Sequence, residues 1–328
     1  MTDAVSHLMR RFGIGDTPLI PMPGLGSPGR ISLKAEYANP FGSVKDRAAA
    51  YLIAWVTAQF GPEVHLVEST SGNLGIALGQ MIPPTARLTV VMDGTVPPAR
   101  LIAVRAAGGG VEVAEPLQPG LTPRETRIEL ARAIGERPGH AWLNQYGNSE
   151  GVRAHHETTG PEILSGTNGD LDAVVASVGT GATICGIGAA LRDADRSAIA
   201  VGVEPVGSTI AGGPEGNYLP AGAGMRGPSK LVRDHGGLID RFAQVPDATA
   251  ARWALLLRSR HGVTAGLTTG AAFAAAVDLA SREELHVVVV AADAGDVFLP
   301  AMRALAASTP ASADLRIRWP SPTTHRCR

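Results

Sequence analysis

The stretch Asn39-Pro40-Phe41-Gly42-Ser43-Val44-Lys45-Asp46-Arg47 delivers one lysine from a turn to an alanine-rich segment, residues 47–55, which is typical of a helix. A helix N-terminus carries about half a positive charge, and this charge together with partial burial favours a neutral lysine amine over an ammonium. Because a neutral amine attacks aldehydes, Lys45 is a candidate to form a Schiff base. The alternative is a surface lysine that pairs with Asp46 or Glu36.

Composition excludes several classes of function. The 328 residues are 45% hydrophobic and 18% charged, and the net charge of −1 gives no electrostatic footprint for nucleic acid or an anionic membrane. No apolar segment follows the opening Met-Thr-Asp-Ala, and no apolar run approaches the roughly 20 residues that span a bilayer. We therefore expect a cytoplasmic protein that acts on small molecules.

Cysteine and histidine do not indicate a metal site. The two cysteines, Cys185 and Cys327, are too few for a disulfide framework or a metal cluster. His155 and His156 are adjacent, and adjacent residues do not face the same side of a helix. The sequence therefore predicts no bound metal.

Short valine-rich segments alternate with helical patterns along the chain. The candidate strands are residues 65–68, 88–92, 111–113, 172–176, 198–203 and 286–292, and the candidate helices are residues 75–81, 98–107, 124–134, 182–192, 249–260 and 270–280. The strands lack alternation of apolar and polar residues, which is typical of strands covered on both faces. The pattern predicts an α/β fold with mostly parallel sheets covered by helices, and a long loop over residues 211–229.

The second motif is Glu68-Ser69-Thr70-Ser71-Gly72-Asn73-Leu74-Gly75, which follows a candidate strand and opens a candidate helix. Several backbone N–H groups and two hydroxyls converge there, and such a group of donors can bind a carboxylate. Asn73 can also offer an amide to an oxygen on a ring. The alternative is an ordinary turn in which Ser or Thr caps the helix.

The third motif is Ser177-Val178-Gly179-Thr180-Gly181-Ala182-Thr183, again between a strand and a helix. Glycines let the backbone approach an anion, and the two threonines add hydroxyl donors, so the motif predicts a phosphate site. It lacks the Lys-Ser/Thr ending of a nucleoside-triphosphate loop. It also lacks a full dinucleotide-binding pattern, and Glu204, which lies about 20 residues further on at the distance of a ribose-binding acid, is interpreted as a decoy.

The fourth motif is Gly266-Leu267-Thr268-Thr269-Gly270-Ala271-Ala272, a turn into a helix. Thr268 could donate its hydroxyl to a ring nitrogen. Its alternative role is that of another helix N-cap.

In this order the four motifs are highly specific, and the chain resembles the fold-type II pyridoxal 5′-phosphate (PLP) enzymes of the cysteine synthase family. The resemblance runs from Gly15-Asp16-Thr17-Pro18-Leu19 to Asp293-Ala294-Gly295 and includes Asn144-Gln145-Tyr146-Gly147-Asn148. It implies a two-domain fold like that of the tryptophan synthase β subunit, a PLP cofactor, amino-acid substrates and a homodimer. The implied domains are a smaller, mobile domain over residues 40–145, a larger PLP-phosphate-binding domain over residues 1–39 and 146–315, and a flexible tail over residues 316–328.

The resemblance also implies roles for individual residues. Lys45 binds PLP and then acts as acid or base at the substrate Cα, Asn73 bonds the ring hydroxyl, and Thr268 faces the pyridine nitrogen, where the family usually has Ser. The phosphate is held by Gly179, Thr180, Gly181, Ala182 and Thr183, and the substrate carboxylate by Thr70, Ser71, Gly72, Asn73 and Gln145. A hydroxyl at the pyridine nitrogen leaves the ring largely neutral and a weaker electron sink, which suits prompt loss of a β leaving group.

One departure from the family indicates a branch. Leu74 stands where cysteine synthases usually have Thr, and the pattern Ser-Gly-Asn-Leu-Gly resembles enzymes that make precursors of 2,3-diaminopropionate. Residues 206–210, 212–214 and 219–224 resemble the same branch. It implies a transferase that eliminates phosphate from O-phosphoserine, through an aminoacrylate, and adds L-glutamate to give N-(1-amino-1-carboxy-2-ethyl)-glutamate. The second carboxylate of glutamate needs a cation or an amide, and the candidates are Arg100, Arg105, Arg153 and Arg226.

Two alternatives remain at this point. A cysteine synthase would use O-acetylserine or O-phosphoserine with sulfide, and so small a nucleophile needs no second carboxylate site. A catalytically inactive, cysteine-synthase-like binding protein would share the fold, because fold alone does not prove activity.

Overall fold

A computed structural model describes residues 1–25, 28–115, 120–195, 197–219, 222–309 and 316–320. Strands in these residues are β1 Leu19–Pro21, β2 Arg30–Lys34, β3 His65–Ser69, β4 Arg87–Asp93, β5 Gly110–Ala114, β6 His140–Trp142, β7 Ala173–Ser177, β8 Ile199–Pro205, β9 Arg241–Val245 and β10 His286–Val290. Helices are α1 Asp3–Phe12, α2 Lys45–Phe60, α3 Asn73–Met81, α4 Pro98–Ala106, α5 Pro123–Gly135, α6 Glu150–Ala154, α7 Gly160–Gly166, α8 Ala182–Asp193, α9 Lys230–His235, α10 Asp247–His261, α11 Leu267–Glu283 and α12 Leu299–Ser308.

The strands form two sheets. The first has the order β5-β4-β3-β6 with parallel pairing throughout, and the second has the order β1-β2-β10-β7-β8-β9. In the second sheet β1 pairs antiparallel with β2, and the other neighbours are parallel. The five residues of β10 are all buried, as a parallel strand covered on both faces requires. The predicted α/β fold with mostly parallel sheets is confirmed.

The chain divides into two compact units. Unit 1 comprises Met1–Ile14, Asn39–Phe41 and Lys45–Gly151, and unit 2 comprises Gly15–Ala38, Gly42–Val44 and the chain from Val152 onward. The sequence analysis placed residues 1–39 with the larger domain, and for Met1–Ile14 this was wrong. The reason is that α1 packs on α2, with the rings of Phe12 and Phe41 edge to face at 5.7 Å.

Each unit has its own core. In unit 1, α5 covers the sheet through Ala131 and Ile134, which pack with Val67 of β3 and Val91 of β4. In unit 2, α11 is buried along most of its length and packs on β7, β10 and α10. Small residues allow this close packing, since a Cβ on Gly270 would lie 2.0 Å from the carbonyl oxygen of Ala250 in α10.

Some earlier expectations concern residues outside the described ranges. Cys327 and residues 321–328 of the predicted tail lie outside them, as do Pro220 and Ala221 of the predicted long loop. The described remainder of that loop, residues 211–219 and 222–228, has no helix or strand, as predicted. In the described residues, no helix has the length and apolar character that crossing a membrane requires.

A methyl group added between α10 and α11 tests how closely the two helices pack. Gly270→Ala should destabilise the protein by about 1–3 kcal/mol, because the new methyl group overlaps the α10 backbone. Gly237→Ala is the matched control, since a Cβ there meets no atom within 4 Å and the residue does not have a positive φ. Urea unfolding followed by circular dichroism measures both. An unchanged midpoint for Gly270→Ala would show that the two helices can move apart freely.

Candidate active site

Lys45 is the first residue of α2 and is half-buried. The next residue, Asp46, is fully buried, and its Oδ2 accepts a hydrogen bond from the Phe41 N–H at 2.7 Å. This bond fastens the turn that precedes the helix. The turn and the helix predicted around Lys45 are therefore present, and the helix begins two residues earlier than predicted.

The chain holds three lysines, and their surroundings differ. Lys34 is 2% exposed, and its Nζ donates to the carbonyl oxygen of Thr17 and to Oε2 of Glu162, each at 2.6 Å. Lys230 is exposed on α9 and pairs with Asp234 one turn away. Both make ion pairs inside unit 2, whereas Lys45 belongs to unit 1 and begins α2.

The loop between β3 and α3 has the geometry of a carboxylate receptor. Gly72 is the N-cap residue of α3, with φ of 144°, and no side chain caps the helix. The alternative of a Ser or Thr cap is therefore wrong. The hydroxyl of Thr70 instead accepts from the Gly72 N–H at 3.2 Å, which holds the loop in shape. A helix start without a side-chain cap leaves backbone donors for an anion.

Gln145 is joined to this loop by a direct contact. Its Nε2 donates to the carbonyl oxygen of Ser69 at 2.6 Å, and its side chain is buried. The structure thus brings Gln145 to the end of β3, next to Thr70 and Ser71, as the prediction of a shared carboxylate site requires. Its occupant stays a prediction.

Glu68 fastens this arrangement, a role that sequence reasoning missed. The residue is 0% exposed, and its two carboxylate oxygens accept from the Ser69 N–H at 2.8 Å and from the Gln145 N–H at 3.2 Å. Burial raises the pKa of Glu68 to about 8, although these two bonds and the charge of Arg127 act in the opposite direction. Removal of the carboxyl group from water dominates because the site is fully enclosed.

Arg127 of α5 extends the same buried network. Its Nη2 donates to the Tyr146 hydroxyl at 3.0 Å, and its Nη1 lies 3.1 Å from Oδ2 of Asp93. Both side chains of this ion pair are nearly inaccessible to solvent. The residue after Gln145 is thus held by a second contact, from α5.

Arg100 of α4 lies against the loop between β3 and α3, the predicted substrate loop. Its Nη1 donates to Oδ1 of Asn73, and a Cβ on Gly72 would lie 2.8 Å from its Cδ. The bond also fixes the orientation of the Asn73 amide. With Oδ1 facing the guanidinium, Nδ2 is the atom presented in the other direction, as a ring-oxygen contact would need.

Unit 2 carries the predicted phosphate loop between β7 and α8. Gly181 is the N-cap residue, with φ of 89° and no side-chain cap, and a Cβ on Gly179 would lie 2.6 Å from the Gly222 carbonyl oxygen. Thr180 is tied down by its carbonyl oxygen, which accepts from the Ser229 hydroxyl at 2.6 Å. The loop is therefore a fixed, glycine-lined cradle at the start of a 12-residue helix.

His155 supports this cradle, and the sequence did not indicate it. It is fully buried, with Nε2 3.2 Å from the Thr183 hydroxyl and Nδ1 2.9 Å from that of Thr159. His156 instead faces Asp193, with Nε2 and Oδ2 2.6 Å apart. In the residues that the structure describes, no three His, Cys, Asp or Glu side chains are grouped as metal ligands.

Thr268 lies in the first turn of α11, whose N-cap is Gly266. It is therefore not an N-cap residue, contrary to the alternative reading. Its Oγ1 is buried and has no hydrogen-bond partner within the described part of the chain. The backbone of Thr268 accepts from the Ser177 hydroxyl at 2.7 Å, which places it beside the start of the phosphate loop.

Glu204 does not behave as a ribose-binding acid. It is 0% exposed and accepts from the Ser208 hydroxyl at 2.5 Å, the Ile210 N–H at 2.9 Å and the Gln244 amide at 2.9 Å. These contacts fold the 206–211 turn back onto β8. Glu204 is therefore a structural residue of this turn, which agrees with its interpretation as a decoy.

Comparisons with known proteins agree with these features. Residues 10–293 match the family described as pyridoxal-phosphate dependent enzyme. The chain is 35% identical over 297 residues to N-(2-amino-2-carboxyethyl)-L-glutamate synthase of Ralstonia nicotianae, across 87% of this chain and 86% of that protein. It is 34% identical over 281 residues to cysteine synthase 3 of Caenorhabditis elegans, across 83% and 81%. The crystal structure of O-ureido-L-serine synthase has a TM-score of 0.81 at 27% identity and covers 96% of this chain and 98% of that one.

The raised pKa of Glu68 predicts a pH dependence of stability. Between pH 4.5 and about 8 the folded protein keeps a proton that the unfolded chain releases. The contribution of Glu68 to the free energy of unfolding should therefore be fully present below pH 4.5. It should decrease as the pH rises toward 8, by roughly 1.4 kcal/mol per pH unit. Glu68→Gln should remove this slope.

Chemical unfolding at pH 5.5, 6.5 and 7.5 gives the slopes directly. Glu129→Gln is the matched control, because Glu129 lies on the exposed face of α5 and pairs with Arg132. Parallel stability curves for the wild type and Glu68→Gln would show that Glu68 is ionised in the folded protein throughout this range.

Proposed function

The chain belongs to the pyridoxal-phosphate dependent enzymes, and we propose that it replaces the phosphate of O-phosphoserine by the amino group of L-glutamate. β-Replacement on a serine-derived substrate follows from its relatives, which include a glutamate-coupling synthase and a cysteine synthase. The specific product proposed is N-(1-amino-1-carboxy-2-ethyl)-glutamate, a precursor of 2,3-diaminopropionate. Released phosphate is the second product.

The residues present fit PLP. The glycine cradle of residues 179–183 suits a phosphate group, and Lys45 is an accessible amine at a helix start. The observation that carries the proposal is the buried Oγ1 of Thr268, a hydroxyl without a partner in the described chain. Such an atom costs about 1–3 kcal/mol when left unpaired, and a bond from this hydroxyl to the ring nitrogen of PLP would recover that cost.

The identity of that residue favours the reaction class. PLP, when bound, supplies the electron sink that lets the β substituent leave. A threonine hydroxyl does not protonate a pyridine nitrogen as a carboxylic acid does, so the sink is weak. A weak sink suits rapid loss of a good leaving group such as phosphate more than reactions that need a long-lived carbanion.

The chain's own residues then have defined tasks. Thr70, Ser71, Gly72, Asn73 and Gln145 bind the carboxylate of O-phosphoserine. Lys45 removes the proton from Cα as the Cβ–O bond breaks and phosphate departs. The glutamate nitrogen forms a bond to Cβ and loses a proton, and Lys45 returns a proton to Cα, so atoms and charge balance.

Cysteine synthase is the second candidate, favoured by the 34% identical relative of that name. It shares every residue discussed so far and differs in the nucleophile. Glutamate is preferred as the nucleophile because the 35% identical relative is the synthase named for the coupled product and matches more of the chain. A homodimer is part of the proposal, and light scattering of the purified protein tests it.

Thr268 allows a test that does not depend on turnover. Thr268→Val keeps the shape but removes the hydroxyl, so the PLP-free protein should gain about 1 kcal/mol of stability. PLP should bind the variant more weakly than the wild type, and Thr268→Ser should bind it normally. Thermal unfolding and fluorescence titration with PLP give the two quantities. Equal PLP affinity of the Val and wild-type proteins would remove Thr268 from the cofactor site.

The reaction is tested by supplying O-phosphoserine with glutamate or sulfide and analysing products by mass spectrometry. We expect the coupled amino acid and phosphate in equal amounts, at a rate well above cysteine formation. Faster cysteine formation would establish the second candidate instead.

Lys45→Ala should abolish both reactions and the visible absorbance of the PLP-loaded protein. Lys230→Ala, on the exposed face of α9, is the control and should keep both. Borohydride reduction of the wild type should label one of the three lysines, Lys45.

A further inference from the structure

We propose that Arg100 binds a carboxylate of the incoming amino-acid nucleophile and thereby selects a dicarboxylic amino acid over sulfide. The inference rests on the proposed function and names the residue that recognises its second substrate. Four arginines were candidates on the sequence, and the structure distinguishes them.

Position is the first argument. Arg100 crosses the substrate loop of unit 1, since its guanidinium bonds Asn73 and its Cδ occupies the space beside Gly72. A side chain at position 72 would collide with it at 2.8 Å. A guanidinium held there lies next to the backbone donors that bind the first substrate.

Available charge is the second argument. Arg153 is paired with Glu157 at 2.6 Å, and Arg226 is paired with Glu215 at 2.8 Å. Arg105 is exposed, five residues further along α4 than Arg100, and hence on a different side of the helix.

Arg100 differs from these three. Within the described residues its recorded contact is the amide oxygen of Asn73, and no carboxylate lies within 4 Å of its guanidinium. A guanidinium has five N–H donors in a fork that matches a carboxylate in two parallel bonds. One N–H donor bonds Asn73, so the guanidinium has further N–H donors for a second partner.

Placement in the helix is the third argument. Arg100 lies in the first turn of α4, which begins at Pro98 and contains no acidic residue there. A cation in a first turn is opposed by the helix dipole. The fold therefore retains a half-buried, unfavourably placed cation that an anionic ligand would compensate.

The contact with Asn73 suggests a competing role, in which Arg100 only orients the Asn73 amide for the cofactor. The two roles differ in what a substitution changes. Loss of orientation would weaken PLP binding and slow every nucleophile alike. Loss of a carboxylate contact would raise KM for glutamate selectively.

The experiment compares Arg100→Gln and Arg100→Lys with the control Arg105→Gln. Glutamate, glutamine and sulfide serve as nucleophiles with O-phosphoserine, and PLP affinity is measured in parallel. In Arg100→Gln we expect KM for glutamate to rise about tenfold or more, the size of one lost charge-assisted contact. The effect on sulfide should be at least tenfold smaller. Arg100→Lys should recover part of the loss, because an ammonium supplies charge without the fork.

Two results would overturn the inference. Equal losses with all nucleophiles, accompanied by weaker PLP binding, would make Arg100 a positioning residue for Asn73. A KM for glutamate that stays within twofold of wild type in Arg100→Gln would exclude the contact altogether. Failure of the proposed function looks different, because the wild-type enzyme itself would then make cysteine and no coupled product.

Discussion

The burial of Glu68 is the constraint on which the predicted substrate loop, residues 70–73, depends. Placing a carboxyl group at the end of a parallel strand, away from water, is strongly unfavourable unless its oxygens are bonded. Here the two oxygens bond the backbone of Ser69 and of Gln145, which are 76 residues apart in sequence. One side chain thus ties the end of β3 to the turn after β6. The loop that follows, residues 70–73, therefore begins at a backbone position that these bonds hold in place.

Three predicted ligand loops share a second feature, the absence of a side-chain cap. Gly72, Gly181 and Gly266 are the N-cap residues of α3, α8 and α11, and none of these helices is capped by a side chain. By contrast, Thr122 caps α5 and forms a full capping box with Glu125. Glycine lets the chain turn sharply into the helix and keeps the first donors accessible. The same lack of a side-chain cap occurs in α4, α10 and α12, so it is the combination with a glycine N-cap that sets the predicted ligand loops apart.

Much of the fold could be predicted from the sequence, because long valine-rich strands and alanine-rich helices carry a clear periodicity. The six predicted strands and the predicted helices are all present, with ends shifted by at most three residues, except that α2 continues five residues beyond the predicted segment 47–55. The missed elements are short or mixed in polarity. β6 has three residues. β2, with the sequence Arg-Ile-Ser-Leu-Lys, carries a charge at each end and forms a strand by pairing with β10, which is distant in sequence. The N-terminal helix α1 was given to the wrong unit for the same reason, since its partner α2 is distant in sequence.

The residues of the candidate site also divide into those that the sequence indicated and those that only the structure shows. Glycines and hydroxyls between a strand and a helix can be recognised in the sequence, and each of the four predicted segments opens a helix in the structure. Glu68 was quoted within a motif but had no assigned role, because its burial and its bond to Gln145 exist only in the folded chain. The role of His155 could not be predicted for the same reason, because its partner Thr183 lies on a different helix.

The unusual residue of the second motif, Leu74, does not itself explain a preference for one nucleophile over another. Leu74 is the departure that pointed to the branch, yet it is 1% exposed, so it packs in unit 1 and offers nothing to a polar substrate. It can act only through its packing, by changing the shape of the loop. Arg100 is half-buried and bonds Asn73 directly. A hydroxyl at the buried position 74 would not distinguish one nucleophile from another, whereas the proposed role of the guanidinium at position 100 is to distinguish anionic nucleophiles from sulfide. The physical difference between the two candidate reactions is one carboxylate, and α4 is the element that carries a group able to recognise it.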